Sequence, residues 1–224
     1  MNITQVSNFQ ELISMPFYAE VNAICWSRTL KGDFYEIVDQ LKITGNIKEI
    51  EEEELNELSL SDQGAMAREI LLNDLKLLND YGAAPILNLI KNYDVDDEDP
   101  FFPTDVYSYH VDRSPIPTDT FLCTYYGDAS EILPTSQAIQ KVLVPEIRAE
   151  LKKEFTGTDD DFESYLSEKF YDLHYMPLAN ACPISLGLGN LWRLATDHPG
   201  SLVSPCIHRA PKEKSGLTRL LLIC

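Results

Sequence analysis

Residues 107–115 read YSYHVDRSP and place a histidine two positions before an aspartate in a stretch that alternates like a strand. Successive side chains of a strand point to opposite faces, so His110 and Asp112 share one face, with Cα atoms roughly 6.6 Å apart. At that separation an imidazole and a carboxylate can converge on one metal ion. Because a two-residue motif recurs by chance, further ligands elsewhere in the chain must complete such a site.

Two later residues extend this set. His208 lies in PCIHRAP, after an apolar strand and before a turn, where a single histidine is more often a core residue than a ligand. Arg219 lies in LTRLLLIC and interrupts a row of apolar side chains that share its face by alternation. A buried guanidinium without an anionic partner is costly, so we expect Arg219 to meet a carboxylate of the protein or of a ligand.

The spacing of these residues suggests how they meet. His208 and Arg219 are 11 residues apart (219 − 208) across the turn-rich connector APKEKSG, so a hairpin would direct both into one cavity. Two histidines and one carboxylate form the facial triad of non-haem Fe(II) enzymes, which leaves coordination positions open. The residues therefore predict a metal site at His110, Asp112 and His208, with Arg219 nearby to hold the carboxylate of a keto-acid co-substrate.

The order of these motifs, an H-x-D pair, a much later histidine and then an arginine, resembles the pattern of Fe(II)/2-oxoglutarate-dependent dioxygenases over roughly residues 105–224. The resemblance implies a double-stranded β-helix (jelly roll) with flanking helices. It also implies that His110, Asp112 and His208 bind Fe(II) and that Arg219 pairs with the far carboxylate of 2-oxoglutarate. The enzyme would hydroxylate an unknown small-molecule or protein substrate.

A narrower resemblance is to the DUF1826 family, a bacterial group without a known substrate. It is carried by YHVDRSPIPTDTFLCTYYGDASEIL and by IHRAP. Thr124 and Tyr126 lie on the strand that follows H-x-D, so both are candidates for contacting 2-oxoglutarate, with core packing as the alternative for each. His174, near the end of a predicted helix, and His198, in a turn, are predicted not to be ligands.

The secondary structure predicted to position these residues is mainly helical before about Pro100 and mainly strand after it. Helical patterns occupy 7–14, 32–43 and 61–82, beside one strand at 19–27. Short strands follow at 106–112, 120–127, 189–197, 202–210 and 217–224. We expect one α+β domain over residues 1–224, in which 1–100 form a mainly helical support region. Residues 101–224 would form a jelly-roll, cupin-like core with inserted helices at about 134–175.

The charge balance limits the partners. The 224 residues contain 18 basic and 36 acidic side chains, a net charge of −18, so a nucleic acid would be repelled at long range. The acidic run 48–58 is predicted to be a solvated helix face or loop. The run 94–100, DVDDEDP, is predicted to be an acidic connector, since its spacing does not fit a calcium-binding loop.

The sequence also bears on the cellular compartment in which the protein is expected. No apolar run reaches the length of a membrane span, and the first residues lack the features of a signal peptide. The five cysteines form no CxxC pair, which is typical of reduced thiols. We therefore expect a cytoplasmic protein with no membrane association.

Three alternatives remain open. A cupin-type hydrolase or isomerase would keep the metal ligands without 2-oxoglutarate, and an Arg219 that pointed out of the barrel would favour it. A non-catalytic interaction protein would use its acidic surface and helical first half, and would need no cavity. A zinc hydrolase built on Cys206 and His208 lacks a second Cys/His pair to close the site.

Overall fold

The computed structural model describes residues 3–93, 102–212 and 217–224, and its strands form two sheets. In chain order the strands are β1 (Ile3–Val6), β2 (Ala23–Trp26), β3 (Ile47–Ile50), β4 (Ile86–Ile90), β5 (Tyr109–His110), β6 (Asp119–Tyr126), β7 (Glu131–Leu133), β8 (Ala138–Gln140), β9 (His174–Pro177), β10 (Ile184–Ser185), β11 (Leu191–Ala195), β12 (Ile207–Arg209) and β13 (Arg219–Ile223). The seven-stranded sheet has the order β1-β2-β11-β6-β13-β4-β3, and the six-stranded sheet has the order β10-β7-β12-β5-β9-β8. All pairings are antiparallel except that of β1 with β2.

Six α-helices accompany the sheets within the described ranges. They are α1 (Phe9–Ser14), α2 (Phe34–Gln40), α3 (Glu52–Glu57), α4 (Asp62–Tyr81), α5 (Pro145–Glu154) and α6 (Phe162–Glu168). Short 3-10 turns cover Thr135–Gln137, Lys141–Leu143, Asp159–Asp161 and Tyr171–Leu173. The mixed α and β composition agrees with the sequence-based expectation. None of the helices in the described ranges has both the length and the apolar composition needed to cross a bilayer.

Two layers of apolar side chains cover the faces of the seven-stranded sheet. On one face, the first four helices bury Leu12, Ile37 and Leu71 against Leu87 and Phe121 of the sheet. On the other face, a second cluster joins the two sheets, with Leu122, Trp192 and Leu221 from the seven-stranded sheet and Ile132 from the six-stranded one. Strands β6 and β13 are consequently buried on both faces, which explains why their sequences are mainly apolar.

Helix α4 is held by its caps and by a buried ion pair. The Ser61 hydroxyl accepts a hydrogen bond from the Gly64 amide at the start, and Gly82 ends the helix with a left-handed φ of 92°. The predicted helix at 61–82 is therefore confirmed. Asp74 on its buried face accepts hydrogen bonds from Arg28 and from the Tyr125 hydroxyl, each at 2.7 Å, and so ties α4 to strand β6.

Residues 1–93 contribute more strands than their helical patterns indicated. Strand β2 lies between β1 and β11, and β4 lies between β13 and β3. The two halves of the chain thus build one sheet together, instead of a helical support beside a separate strand-rich core. The acidic run 48–58 begins within strand β3 and continues as helix α3. The run 94–100 lies outside the described residues.

The predicted insert at 134–175 is only partly helical. Helix α5 begins at Pro145, because proline suits the first turn of a helix, and α5 and α6 bury Leu151 and Phe162 against Phe102. The residues before Pro145 form strand β8 between two 3-10 turns, where the sequence had predicted helix. Strand β9 starts at His174, so the end of the insert belongs to the six-stranded sheet.

Candidate metal centre

The structure brings His110, Asp112 and His208 together. His110 ends β5 and lies directly opposite His208 on β12, and Asp112 follows two residues after the end of β5. One ligand atom from each of the three residues lies within 4.8 Å of the others. Asp112 Oδ1 is 3.8 Å from His110 Nε2, and Asp112 Oδ2 is 3.6 Å from His208 Nε2. Two imidazoles thus converge on one carboxylate.

The backbone fixes the orientation of both rings. His110 Nδ1 lies 2.8 Å from the Ser108 carbonyl oxygen, and His208 Nδ1 lies 3.2 Å from the Cys206 carbonyl oxygen. A carbonyl oxygen only accepts hydrogen bonds, so Nδ1 carries a proton on each ring, and in the neutral form of each ring Nε2 keeps its lone pair. Both lone pairs are then available on the side of Asp112, which is the arrangement that a metal ion requires.

The local electrostatics favour the same donor set. Burial, together with the neighbouring His208, lowers the pKa of His110 to about 4, so its ring is neutral at pH 7. Burial by itself would raise the pKa of Asp112. The charge of His208, a hydrogen bond from Thr120 and the charge of His110 outweigh that effect, so the pKa of Asp112 lies below its ordinary value. The site therefore offers a neutral imidazole at His110 and an ionised carboxylate at neutral pH.

Thr120 is a member of the site that sequence reasoning missed. Its hydroxyl donates a hydrogen bond to Asp112 Oδ2 from the start of strand β6, in the opposite sheet. This hydrogen bond orients the Asp112 carboxylate through Oδ2, and the Thr120 hydroxyl does not contact Oδ1. Thr120 could have been found from the alternation of β6. This alternation puts Thr120 on the same face of the strand as Leu122 and Thr124.

Arg219 reaches the interior by a route that differs from the prediction. Strand β13 pairs with β4 and β6 in the seven-stranded sheet, whereas β12 belongs to the six-stranded sheet, so the predicted hairpin between His208 and Arg219 is wrong. Arg219 nevertheless is only 2% exposed and shares its face with Leu221, which packs between the sheets. Its Nη2 donates to Ser130 Oγ at 2.6 Å. Ser130 precedes β7, the strand that pairs with β12.

Only one of the two predicted co-substrate contacts lies beside Arg219. Thr124 is 1% exposed, and its Oγ1 accepts a hydrogen bond from Arg219 Nη2 at 3.3 Å. Tyr126 instead packs against Tyr35 on the helical side, with ring centroids 5.7 Å apart. The register of β6 against β13 shifts after Thr124, and this bulge turns Tyr126 to the other face. The prediction that Tyr126 contacts 2-oxoglutarate is therefore wrong, because its side chain lies on the helical side of the sheet.

His174 lies closer to the site than its predicted position in a helix suggested. It is directly opposite His110 on strand β9, with ring centroids 5.9 Å apart. Burial, with the charges of His110 and Lys141, lowers the pKa of His174 to about 3. Its Nδ1 is buried and has no hydrogen-bond partner among the described residues. His174 is not part of the converging group of three.

Cys206 and His198 do not join the centre. Cys206 is 2% exposed and packs between the sheets, and burial raises the pKa of its thiol. Its carbonyl, and not its sulfur, contacts His208. His198 lies in a turn, where its Nδ1 is 3.0 Å from the Pro199 carbonyl oxygen.

Two cavities adjoin this region. A cavity of about 470 Å³ is lined by His110, Asp112 and His174. A larger cavity, of about 1130 Å³, is lined by Tyr109 among other residues. Asp105 lines both cavities, so they are neighbours.

The chain matches none of the protein-family models, curated proteins or solved structures with which it was compared. Its function must therefore be inferred from the chemistry and geometry of the site itself.

Proposed function

We propose that this protein is a non-haem Fe(II)/2-oxoglutarate-dependent dioxygenase that hydroxylates a small-molecule or protein substrate. The observation that carries the proposal is the convergence of His110, Asp112 and His208 within 4.8 Å on the inner side of the six-stranded sheet. Two imidazoles and one carboxylate are the ligand set of the facial triad, which suits Fe(II) and leaves positions for a co-substrate.

The donor groups fit such a metal. The carbonyls of Ser108 and Cys206 hold the two rings with Nε2 available, and Thr120 holds the carboxylate of Asp112. Outer hydrogen bonds of this kind orient metal ligands and strengthen binding. When bound, Fe(II) and 2-oxoglutarate would supply the oxidising chemistry that converts a C–H bond of the substrate into an alcohol.

Arg219 supports the co-substrate part of the proposal. A guanidinium pairs well with a carboxylate, and this one lies in the interior, where the hydroxyls of Ser130 and Thr124 orient its Nη2. An Arg219 that pointed out of the barrel would have favoured a cupin-type protein without a keto acid, and this side chain is instead 2% exposed. The inward burial of Arg219 therefore favours the oxygenase over the cupin-type alternative.

The proposal includes a jelly-roll fold and membership of the DUF1826 family. The two facing sheets, with helices on the far side of one of them, suit a jelly roll. The DUF1826 resemblance rests on the segments that contain His110, Asp112, Thr124 and His208. A purely non-catalytic role is disfavoured by the cavity that the candidate ligands His110 and Asp112 line. The net charge of −18 argues against a nucleic-acid substrate.

An anaerobic titration tests the proposal. Fe(II) is added to metal-free protein and its binding is measured at equilibrium. 2-Oxoglutarate is then added, and the weak visible charge-transfer absorption of its Fe(II) chelate is recorded. We expect stoichiometric Fe(II) binding and the absorption band, both lost in His208→Ala. Fe(II) binding without the band would favour the cupin-type alternative, and absence of Fe(II) binding would refute the metal centre.

A further inference from the structure

The larger cavity has the size of a small-molecule site. Its volume of about 1130 Å³ lies slightly above the range of roughly 300–1,000 Å³ that is usual for such sites. Tyr109 and Tyr175, directly opposite each other on β5 and β9, form part of its wall. Their chain neighbours His110 and His174 line the smaller cavity, so the two cavities lie on different sides of this strand pair.

The charged side chains that line the larger cavity are mostly basic, although the protein as a whole is acidic. The described lining of this cavity contains four basic residues, Lys91, Lys141, Arg209 and Lys212, and a single acidic residue, Asp105. The whole chain, by contrast, has a net charge of −18. A concentration of positive charge inside a cavity of an acidic protein attracts an anion locally, while the surrounding surface repels polyanions.

Lys141 is the half-buried lysine of this lining, whereas Lys91 and Lys212 are exposed. Its Nζ donates to Ser108 Oγ at 2.7 Å and lies 4.9 Å from the centre of the Phe102 ring. No carboxylate oxygen of the described residues is within ion-pair distance of it. Burial lowers the pKa of Lys141, and the more distant Asp105 only partly offsets that effect. An anion from a ligand would supply the missing countercharge.

Arg209 differs from Lys141 because its charge is already used. Its Nε and Nη2 bond to Glu131 at 2.7 and 2.6 Å, and its guanidinium stacks on Tyr109. Arg209 therefore builds the wall of the cavity. Lys91 and Lys212 are exposed, so Lys141 is the half-buried cation that remains to bind a ligand.

Apolar side chains line the same cavity. Met176, Leu178 and Leu217 are 37%, 45% and 46% exposed and all contribute to its wall. Large apolar side chains that are exposed together around a cavity are typical of a binding site for an apolar group.

We propose that this cavity binds an amphipathic organic anion, with its acidic group at Lys141 and its apolar body against Met176, Leu178 and Leu217. Binding there requires no metal, so the proposal can fail or succeed independently of the oxygenase function.

Calorimetric titration of the metal-free protein tests the proposal with three probes of equal chain length, decanoate, 1-decanol and decyltrimethylammonium. We expect decanoate to bind at least about tenfold more tightly than the other two, because only its head can pair with an ammonium group. Acetate, which has the same acidic group but lacks an apolar body, should bind at least about tenfold more weakly than decanoate. Equal affinity for the three long-chain probes, or for decanoate and acetate, would overturn the assignment.

Substitutions in the cavity wall test whether decanoate binds in the larger cavity. Lys141→Gln should weaken decanoate about tenfold while changing 1-decanol by less than about twofold. Lys76→Gln, on the exposed face of α4, is the matched control and should bind decanoate like the parent. Leu178→Glu alters an exposed side chain, so it should fold even if Lys141→Gln does not. It should weaken decanoate without weakening decyltrimethylammonium, and unchanged decanoate binding in Leu178→Glu would place the ligand elsewhere.

Discussion

His110 and His208 face each other across two antiparallel strands, with ring centroids 4.6 Å apart, and both rings are oriented in the same way. Each Nδ1 bonds to the carbonyl oxygen of the residue two positions earlier in its own strand segment, Ser108 in one case and Cys206 in the other. The backbone, which is itself fixed by strand pairing, thus directs both Nε2 atoms towards Asp112. The centre is preorganised before any ligand arrives.

Removal of either imidazole should abolish metal binding. With one nitrogen donor and one carboxylate left, we expect His110→Ala and His208→Ala each to weaken Fe(II) by more than about 100-fold, beyond the usual effect of losing an outer hydrogen bond. Equilibrium dialysis with metal analysis measures this, and circular dichroism checks the fold. His198→Ala, which alters a turn, is the control. Stoichiometric iron in both ligand variants would disprove the centre.

Thr120 should tune the centre without binding the metal. Thr120→Val deletes the hydrogen bond to Asp112 Oδ2, so the carboxylate loses one stabilising contact and its pKa should rise. We expect Fe(II) affinity to fall about 10- to 100-fold. Thr196→Val is a matched control, because this buried hydroxyl donates to the Thr118 carbonyl and not to a ligand. An equal loss of affinity in both variants would show that Thr120 acts only through stability.

Arg219 should discriminate between metal and co-substrate. Arg219→Lys keeps the charge but loses the planar fork, so 2-oxoglutarate affinity should fall about tenfold or more while Fe(II) affinity stays nearly constant. Arg193→Lys serves as the control, since Arg193 pairs with Asp119 and bonds to backbone carbonyls near the end of α1. Competitive titration with each ligand measures both affinities. Equal losses for Fe(II) and 2-oxoglutarate in Arg219→Lys would make Arg219 a structural residue.

The proximity of the candidate ligands His110 and Asp112 could be predicted from sequence because their geometry is local. The i, i+2 spacing of His110 and Asp112 puts both on one side of the chain even though the strand ends at His110. The partner of β13 could not be found in this way. Beyond Arg219 the strand is apolar on both faces, so its sequence indicates no preference between pairing with β12 and insertion between β4 and β6.

Two further errors have identifiable physical causes. Tyr126 lies beyond a bulge that reverses the alternation of β6, and an added residue in one strand leaves no periodic signal in the sequence. The sequence predicts a helix that ends near His174. The helix ends at Glu168, and Phe170 takes a left-handed φ of 59°, a conformation that a phenylalanine rarely adopts and that its sequence does not indicate.

The ion pair under α4 should matter more to stability than any surface pair. Asp74 is fully buried between Arg28 and Tyr125, so Asp74→Ala leaves a buried guanidinium without its countercharge. We expect a loss of about 3–5 kcal/mol in the free energy of unfolding. Asp80→Ala, which breaks the exposed pair with Lys76, should cost less than about 1 kcal/mol. Urea unfolding measures both, and similar losses would contradict the assignment.

Buried neutral histidines should make the stability depend on pH. The pKa values of His110 and His174 are lowered to about 4 and about 3, whereas an unfolded histidine titrates near 6.5. Between these values the unfolded chain binds protons that the folded chain does not, so acidification favours unfolding. From pH 7 to pH 5 each histidine should reduce the free energy of unfolding by on the order of 1–2 kcal/mol.

The variant His174→Phe isolates one of these contributions. It removes a buried nitrogen without a partner among the described residues and keeps an aromatic ring against Phe102, so the metal-free variant should be at least as stable as the parent at pH 7. It should also lose less stability than the parent between pH 7 and pH 5, because one proton-binding group of the unfolded chain is gone. Urea unfolding of both proteins at the two pH values measures the difference. An identical pH dependence would mean that His174 is protonated in the folded protein.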